Sequence, residues 1–187
     1  TMKQKPLFTV DGETLTTTLL PPVRFVVEGF IPQGLHLLAG ASKIGKSWLA
    51  LWLCLQVAKG EKVWDFPSRR GDVLYLCLED NYSRIQSRLL DLTDTAPGNL
   101  HFATASEKLR CGLEQQIQQF LAGHPHTVLV VIDTLQRVRG AGGDANAYAN
   151  DYRDLEALKA MADGNKLAIL LILHLRKREA EDPIKMI

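Results

Sequence analysis

Eight residues, GASKIGKS from Gly40 to Ser47, constrain this chain more than any other stretch. An apolar run (Leu35, Leu37, Leu38, Ala39) leads into them like a buried strand, and a helical run from Trp48 to Lys59 leads out. The spacing G-x-x-x-x-G-K-[ST] at a strand-to-helix junction is that of a phosphate-binding loop. Glycines let the backbone curl until successive N–H groups converge on one cluster of oxygens, and the helix N-terminus adds unsatisfied donors and a partial positive charge. The expected cradle is Gly40, Ala41, Ser42, Lys43, Ile44, Gly45, Lys46 and Ser47, with Trp48 beside it. Lys46 would reach the β- and γ-phosphates of a nucleotide, and the Ser47 hydroxyl would ligate Mg²⁺. A plain glycine-rich turn with a solvated lysine would use the same letters, but chance seldom sets them between a strand and a helix.

Composition narrows the setting. The chain has 187 residues, 46% hydrophobic and 23% charged, enough for one domain with a sizeable core. A net charge of +1 advertises no global attraction to nucleic acid, which leaves only local basic patches. The longest apolar run, Leu49 to Ala58, is interrupted by Gln56 and falls short of a membrane span, so no membrane partner is expected. Cys54, Cys77 and Cys111 are far apart and show no zinc or C-x-x-C spacing. They read as reduced thiols of a cytoplasmic protein.

Taken in order, Thr1 to Pro22 form an irregular lead-in with a short strand expected near Leu7 to Val10. The domain proper is placed at residues 23–187. Val26-Val27 and Ile31 to Gly34 deliver the chain to its first core strand, Leu35 to Ala39. The helix that follows, from about Gly45 to Lys59, is apolar on nearly every face and should be largely buried, with Gly60 as its stop. Residues 61–70 read as a loop whose Trp64 and Phe66 cap an edge of the core. Asp72 to Leu78 is continuously apolar, as in a parallel strand covered on both faces. Tyr82 to Leu92 is helical by its Ile85/Leu89 spacing. A weak strand at Leu100 to Thr104 and a helix at Leu109 to Leu121 follow. Thr127 to Ile132 is the strongest strand signal, then comes a glycine-rich loop from Arg137 to Asn146. A helix from Ala147 to Ala162 stopped by Gly164-Asn165, and a last strand from Leu167 to Leu173, complete the pattern. Strands alternating with helices specify an α/β fold, a mainly parallel sheet with helices on both faces.

Ligands of such sheets bind beyond the carboxyl ends of the strands. Four strands end in useful groups: the loop after Ala39, Glu79-Asp80, Asp133-Thr134 and His174. Asp133, closing an apolar strand, is placed to hold Mg²⁺ through water beside Ser47, although a strand-end aspartate can equally cap a turn. Glu79 could orient or deprotonate a water that attacks the γ-phosphate. Asp80 competes for that role, and either acid could cap the following helix. His174 could donate to the γ-phosphate or to that water. The remaining histidines (His36, His101, His124, His126) have no such setting.

In order, EGFIPQGLHLLAG, GASKIGKS, LCLED, VVIDTLQRV and LILHLRK resemble the RecA-like ATPases over about Val26 to Lys177. The nearest group is similar to the RepA-type hexameric helicases of plasmids and mobile elements, related to the DnaB-type replicative helicases. LED at this place differs from the nucleotide kinases. The resemblance implies a three-layer α/β/α P-loop core in which the Asp133 strand lies between the Glu79 and His174 strands, with the phosphate-loop strand beyond His174. It implies ATP and Mg²⁺ as ligands, Glu79 as the catalytic glutamate, Asp133 as the Walker B acid and His174 as γ-phosphate sensor, with Lys46 assisting. Loops after Asp133 and His174 would face a ring's central channel, so that Arg137, Arg139, Arg176, Lys177 and Arg178 contact single-stranded DNA in the full-length protein, unless they form only a solvated rim. Arg84 or Arg88 would stack on the adenine. The family core continues past the sensor histidine to an arginine finger that acts across subunits. That finger is expected beyond Ile187, so slow or absent hydrolysis is expected of residues 1–187 alone. Three functions compete: a motor or loader of DNA replication, a recombination or regulatory ATPase, and a nucleotide-binding assembly protein.

Overall fold

The computed structural model describes residues 7–139 and 147–175. A short helix α1 (Gly12–Thr17) precedes an antiparallel pair, β1 (Phe25–Val27) and β2 (Ile31–Pro32). The core then runs β3 (Gly34–Gly40), α2 (Lys46–Lys59), β4 (Asp72–Cys77), α3 (Tyr82–Leu92), β5 (Leu100–Ala103), α4 (Leu113–Gly123), β6 (Thr127–Asp133), α5 (Leu135–Val138), α6 (Ala147–Asn165) and β7 (Ala168–His174). Among the described residues the main sheet has five strands in the order β3-β7-β6-β4-β5, and every neighbouring pair is parallel. This is the three-layer RecA-like order, with β6 between the Glu79 and His174 strands and β3 beyond β7.

Alternation along the strands sorts the core into two layers. Val73, Tyr75 and Cys77 of β4, Leu129 and Val131 of β6, and Leu170 and Ile172 of β7 pack with Cys54, Leu55 and Val57 of α2 and Ile85 of α3. Leu74, Leu76, Val130, Ile132, Ile169 and Leu171 face the opposite way, onto Ile117 of α4 and Leu158, Met161 and Ala162 of α6. All seven residues of β6 are buried, as a central strand covered on both faces requires. Each fully buried aliphatic side chain of this kind contributes about 1.5–3 kcal/mol.

Several expectations need correction. No strand forms at residues 7–10; Asp11 instead caps α1 by accepting from Thr14 N at 2.8 Å. The β3 strand is not a buried strand. Among the described residues it lies at the sheet edge, and Leu37 is 52% exposed. The fourth helix starts at Leu113 rather than Leu109 because Gly112 adopts φ +129, which breaks the turn ahead of it. The sixth runs through Gly164 and Asn165 and is closed by Lys166 at φ +55. Asp80 does not cap α3. Asn81 does, accepting from Arg84 N at 2.9 Å. Trp64 and Phe66 do gather at an edge, where Phe30 and Trp52 join them in an aromatic cluster, but both remain substantially exposed. Cys54 and Cys77 are buried and Cys111 is exposed. Among the described residues no helix is long and apolar enough to cross a membrane.

Candidate functional site

Parallel pairing carries all four strand ends to one edge. Gly40 lies opposite His174, Ile172 opposite Asp133, and Asp133 opposite Cys77. The backbone knits the edge further: Leu175 N donates to Gly40 O at 3.0 Å, and Leu78 N to Asp133 O at 2.9 Å. The phosphate loop, Glu79, Asp133 and His174 therefore share one site although they are spread over more than half the chain.

Within the loop, Gly45 takes φ +91 and serves as the backbone cap of α2, a conformation that disfavours a Cβ. Lys43 is also left-handed at φ +64. Lys46 is 6% exposed and bends back over the loop, its Nζ donating to Gly40 O at 2.9 Å and Ala41 O at 2.6 Å. A buried ammonium needs acceptors, and here carbonyls supply them. Phosphate oxygens can replace those carbonyls with charge-assisted bonds.

Asp133 is 5% exposed, on the α2 side of the sheet. Its Oδ2 accepts from the Tyr75 hydroxyl at 2.9 Å, whereas Oδ1 is buried without a hydrogen-bond partner. Burial raises its carboxyl above the usual range, opposed by the Ser47 and Tyr75 hydroxyls. Burial, followed by the Asp133 charge, pushes the Tyr75 hydroxyl well up. A buried carboxylate oxygen without a donor, next to a serine at a helix N-terminus, fits a hydrated Mg²⁺. No group of three His, Cys, Asp or Glu among the described residues could cage a metal.

Glu79 is more open. Its Oε1 accepts from Thr134 Oγ1 at 3.0 Å, and its Oε2 faces His174 Nε2 at 3.3 Å. Arg137 Nε lies 3.6 Å from Oε1. The Nδ1 of His174 is buried without a partner, and Gln136 Nε2 donates to the His174 carbonyl at 3.2 Å. Asp80 turns away from this group to pair with Arg84 at 2.9 Å and Arg88 at 2.5 Å. The Arg88 guanidinium also sits 5.5 Å from the centroid of the Trp48 ring. Trp48, Arg84 and Arg88 therefore form one cluster just past the phosphate loop. Arg139 is half-buried after α5, and Arg176, Lys177 and Arg178 lie outside the described residues.

Sequence reasoning missed Tyr75 and Thr134 as contacts of the two acids. The one signal for Tyr75 was a single hydroxyl within an otherwise apolar run, VLYLC; Thr134 carried none beyond its place after Asp133.

Fold and site together define a P-loop nucleotide-binding domain of the RecA-like, three-layer class. The family model described as AAA domain matches residues 3–180, and the chain belongs to that family. Among solved structures, the chain is similar to the ATPase domain of G40P, with a TM-score of 0.57 and 14% identity over 78% of this chain. It spans 58% of that structure's length. No curated protein sequence matches.

Proposed function

We propose that this chain binds Mg²⁺·ATP on the loop between β3 and α2 and hydrolyses it, as the motor core of a DNA helicase that serves replication of a mobile element. The observation that carries the hydrolase reading is the meeting of Glu79, Thr134 and His174 at the edge where the phosphate loop ends. A domain that only bound nucleotide would have no need of a carboxylate held by two strand-end neighbours there.

The loop N–H groups and the α2 N-terminus would bind the phosphates, and Lys46 would exchange two carbonyls for phosphate oxygens. Ser47 and Asp133 would hold Mg²⁺, which neutralises charge that develops on the phosphates. Glu79 would take the proton of the attacking water, and Thr134 and His174 hold its two oxygens in place. The Trp48/Arg88 cluster offers a flat cationic surface for the adenine. Arg137, exposed beside Glu79, would meet the single-stranded DNA phosphates. The resemblance of the sequence motifs to those of hexameric helicases supports a homo-oligomeric ring in the full-length protein.

The test uses the full-length protein with ATP, with and without single-stranded DNA. Glu79→Gln should keep ATP binding and lose about 10²–10⁴-fold in turnover. Unchanged turnover would place catalysis elsewhere, and a wild type that binds ATP without turning it over would support an assembly role. ATP-dependent opening of a forked duplex separates a helicase from a recombination or regulatory ATPase.

A further inference from the structure

Tyr75 stands out among the residues that the proposed reaction does not yet use. It lies in the middle of β4, is 2% exposed, belongs to the α2-side core and has its ring tilted against Phe102. Its Cα pairs with that of Val131, so Asp133 is its diagonal neighbour two residues further along β6 on the same face. A tyrosine ring spans that offset. The hydroxyl arrives 2.9 Å from Asp133 Oδ2 and 3.3 Å from the Ser47 carbonyl. It has one proton to give, and the nearer carboxylate oxygen is the stronger acceptor. The partner oxygen, Oδ1, is left buried and unpaired.

The structure assigns Tyr75 as the positioning residue of the metal corner, one that ties down Asp133 Oδ2 so that Oδ1 alone faces the hydration shell of a nucleotide-bound Mg²⁺. The assignment rests on the Mg²⁺·nucleotide reading above. The chemical reason is orientation. A buried carboxylate with both oxygens unpaired would rotate toward whatever donor it found, the Ser47 hydroxyl included. With Oδ2 held, the carboxylate plane is set by two β-strands, and the same hydroxyl lies within reach of the first turn of α2. Oδ1 is then the oxygen left for the cation, beside the Ser47 hydroxyl. A phenylalanine would fill the same volume in this apolar strand, so packing alone does not call for the hydroxyl.

The experiment measures binding of a fluorescent ADP analogue to the full chain in EDTA and across a Mg²⁺ titration, for wild type and Tyr75→Phe. Tyr75→Phe should raise the Mg²⁺ concentration needed for half of the affinity gain by about tenfold, the low end for losing a partner that orients a metal-binding group. Affinity in EDTA should stay within about twofold, since no phosphate contact changes. In an Asp133→Asn background the same change should add no further loss, because Tyr75 acts through Asp133. Equal weakening with and without Mg²⁺, an unchanged Mg²⁺ midpoint, or additive losses in the double variant would each overturn the assignment. Tyr75→Met, which also lacks the hydroxyl, gives the same reading if phenylalanine packs poorly. A wild-type chain whose ADP affinity ignores Mg²⁺ altogether would overturn the underlying nucleotide reading, a result distinct from an effect confined to Tyr75.

Discussion

Asp133 and Glu79 follow neighbouring parallel strands and sit at the same edge, yet Asp133 is 5% exposed while the Glu79 side chain is 39% exposed. The inner acid is held by a tyrosine hydroxyl from below, its charge opposed by burial. The outer acid is held by the buried Thr134, by the half-buried His174 and by the more distant, exposed Arg137. The difference suits two tasks. A cation ligand gains from low dielectric and a fixed plane. A base that handles water must meet water. The same contrast separates the contacts: Tyr75 reaches Asp133 from the middle of β4, whereas Thr134 and His174 meet Glu79 from strand ends.

The comparison can be broken first at the inner acid. Asp133→Asn should remove the Mg²⁺-dependent part of nucleotide affinity, a loss of about 10–100-fold in Mg²⁺ response. Its affinity in EDTA should hardly change. Calorimetric titration of Mg²⁺ into the nucleotide complex checks this, and an intact Mg²⁺ response would deny Asp133 its special position.

The next effect concerns stability without ligand. A carboxyl raised above its unfolded value binds its proton more tightly in the native state. Native stability therefore falls as pH rises from the unfolded carboxylate value through the folded one, and the penalty is complete above that. Asp133→Asn removes the penalty. Thermal melts of the nucleotide-free protein should thus show the variant more stable than wild type near neutral pH, with the two converging as pH drops below the ordinary aspartate range. A variant less stable at every pH would mean that the buried charge is not costly here.

The smallest effect is expected at the rim. Arg137 and Glu79 are 57% and 39% exposed and 3.6 Å apart, so their pairing is screened. Arg137→Ala should alter folding stability by less than about 0.5 kcal/mol. In the full-length protein it should flatten the salt dependence of single-stranded DNA binding by about 0.7 in the log–log slope, the share of one phosphate contact. An unchanged slope would assign Arg137 to the solvated rim.

Much of the site was legible because its signals are local. The loop announces itself by glycine and lysine spacing, and Glu79, Asp133 and His174 by standing where apolar runs stop. The Asp80 cap was misread because an acid and an amide next to each other, Asp80 and Asn81, both suit a helix start, and only three-dimensional placement gave Asp80 its two arginines. The burial expected of β3 failed for a related reason. Its apolar letters resemble those of a central strand, and nothing in them says that β3 pairs on one side only among the described residues.

By itself the sequence determined the strand–loop–helix junction at Gly40 to Ser47, the alternation that makes a parallel sheet, and the acids at the strand ends. These follow from backbone conformational preference and side-chain periodicity, which act over a few residues. Tertiary structure alone decided which strand lies beside which, and therefore that Tyr75 meets Asp133 from 58 residues away. Register between strands depends on packing across both layers, which local residue preferences do not encode.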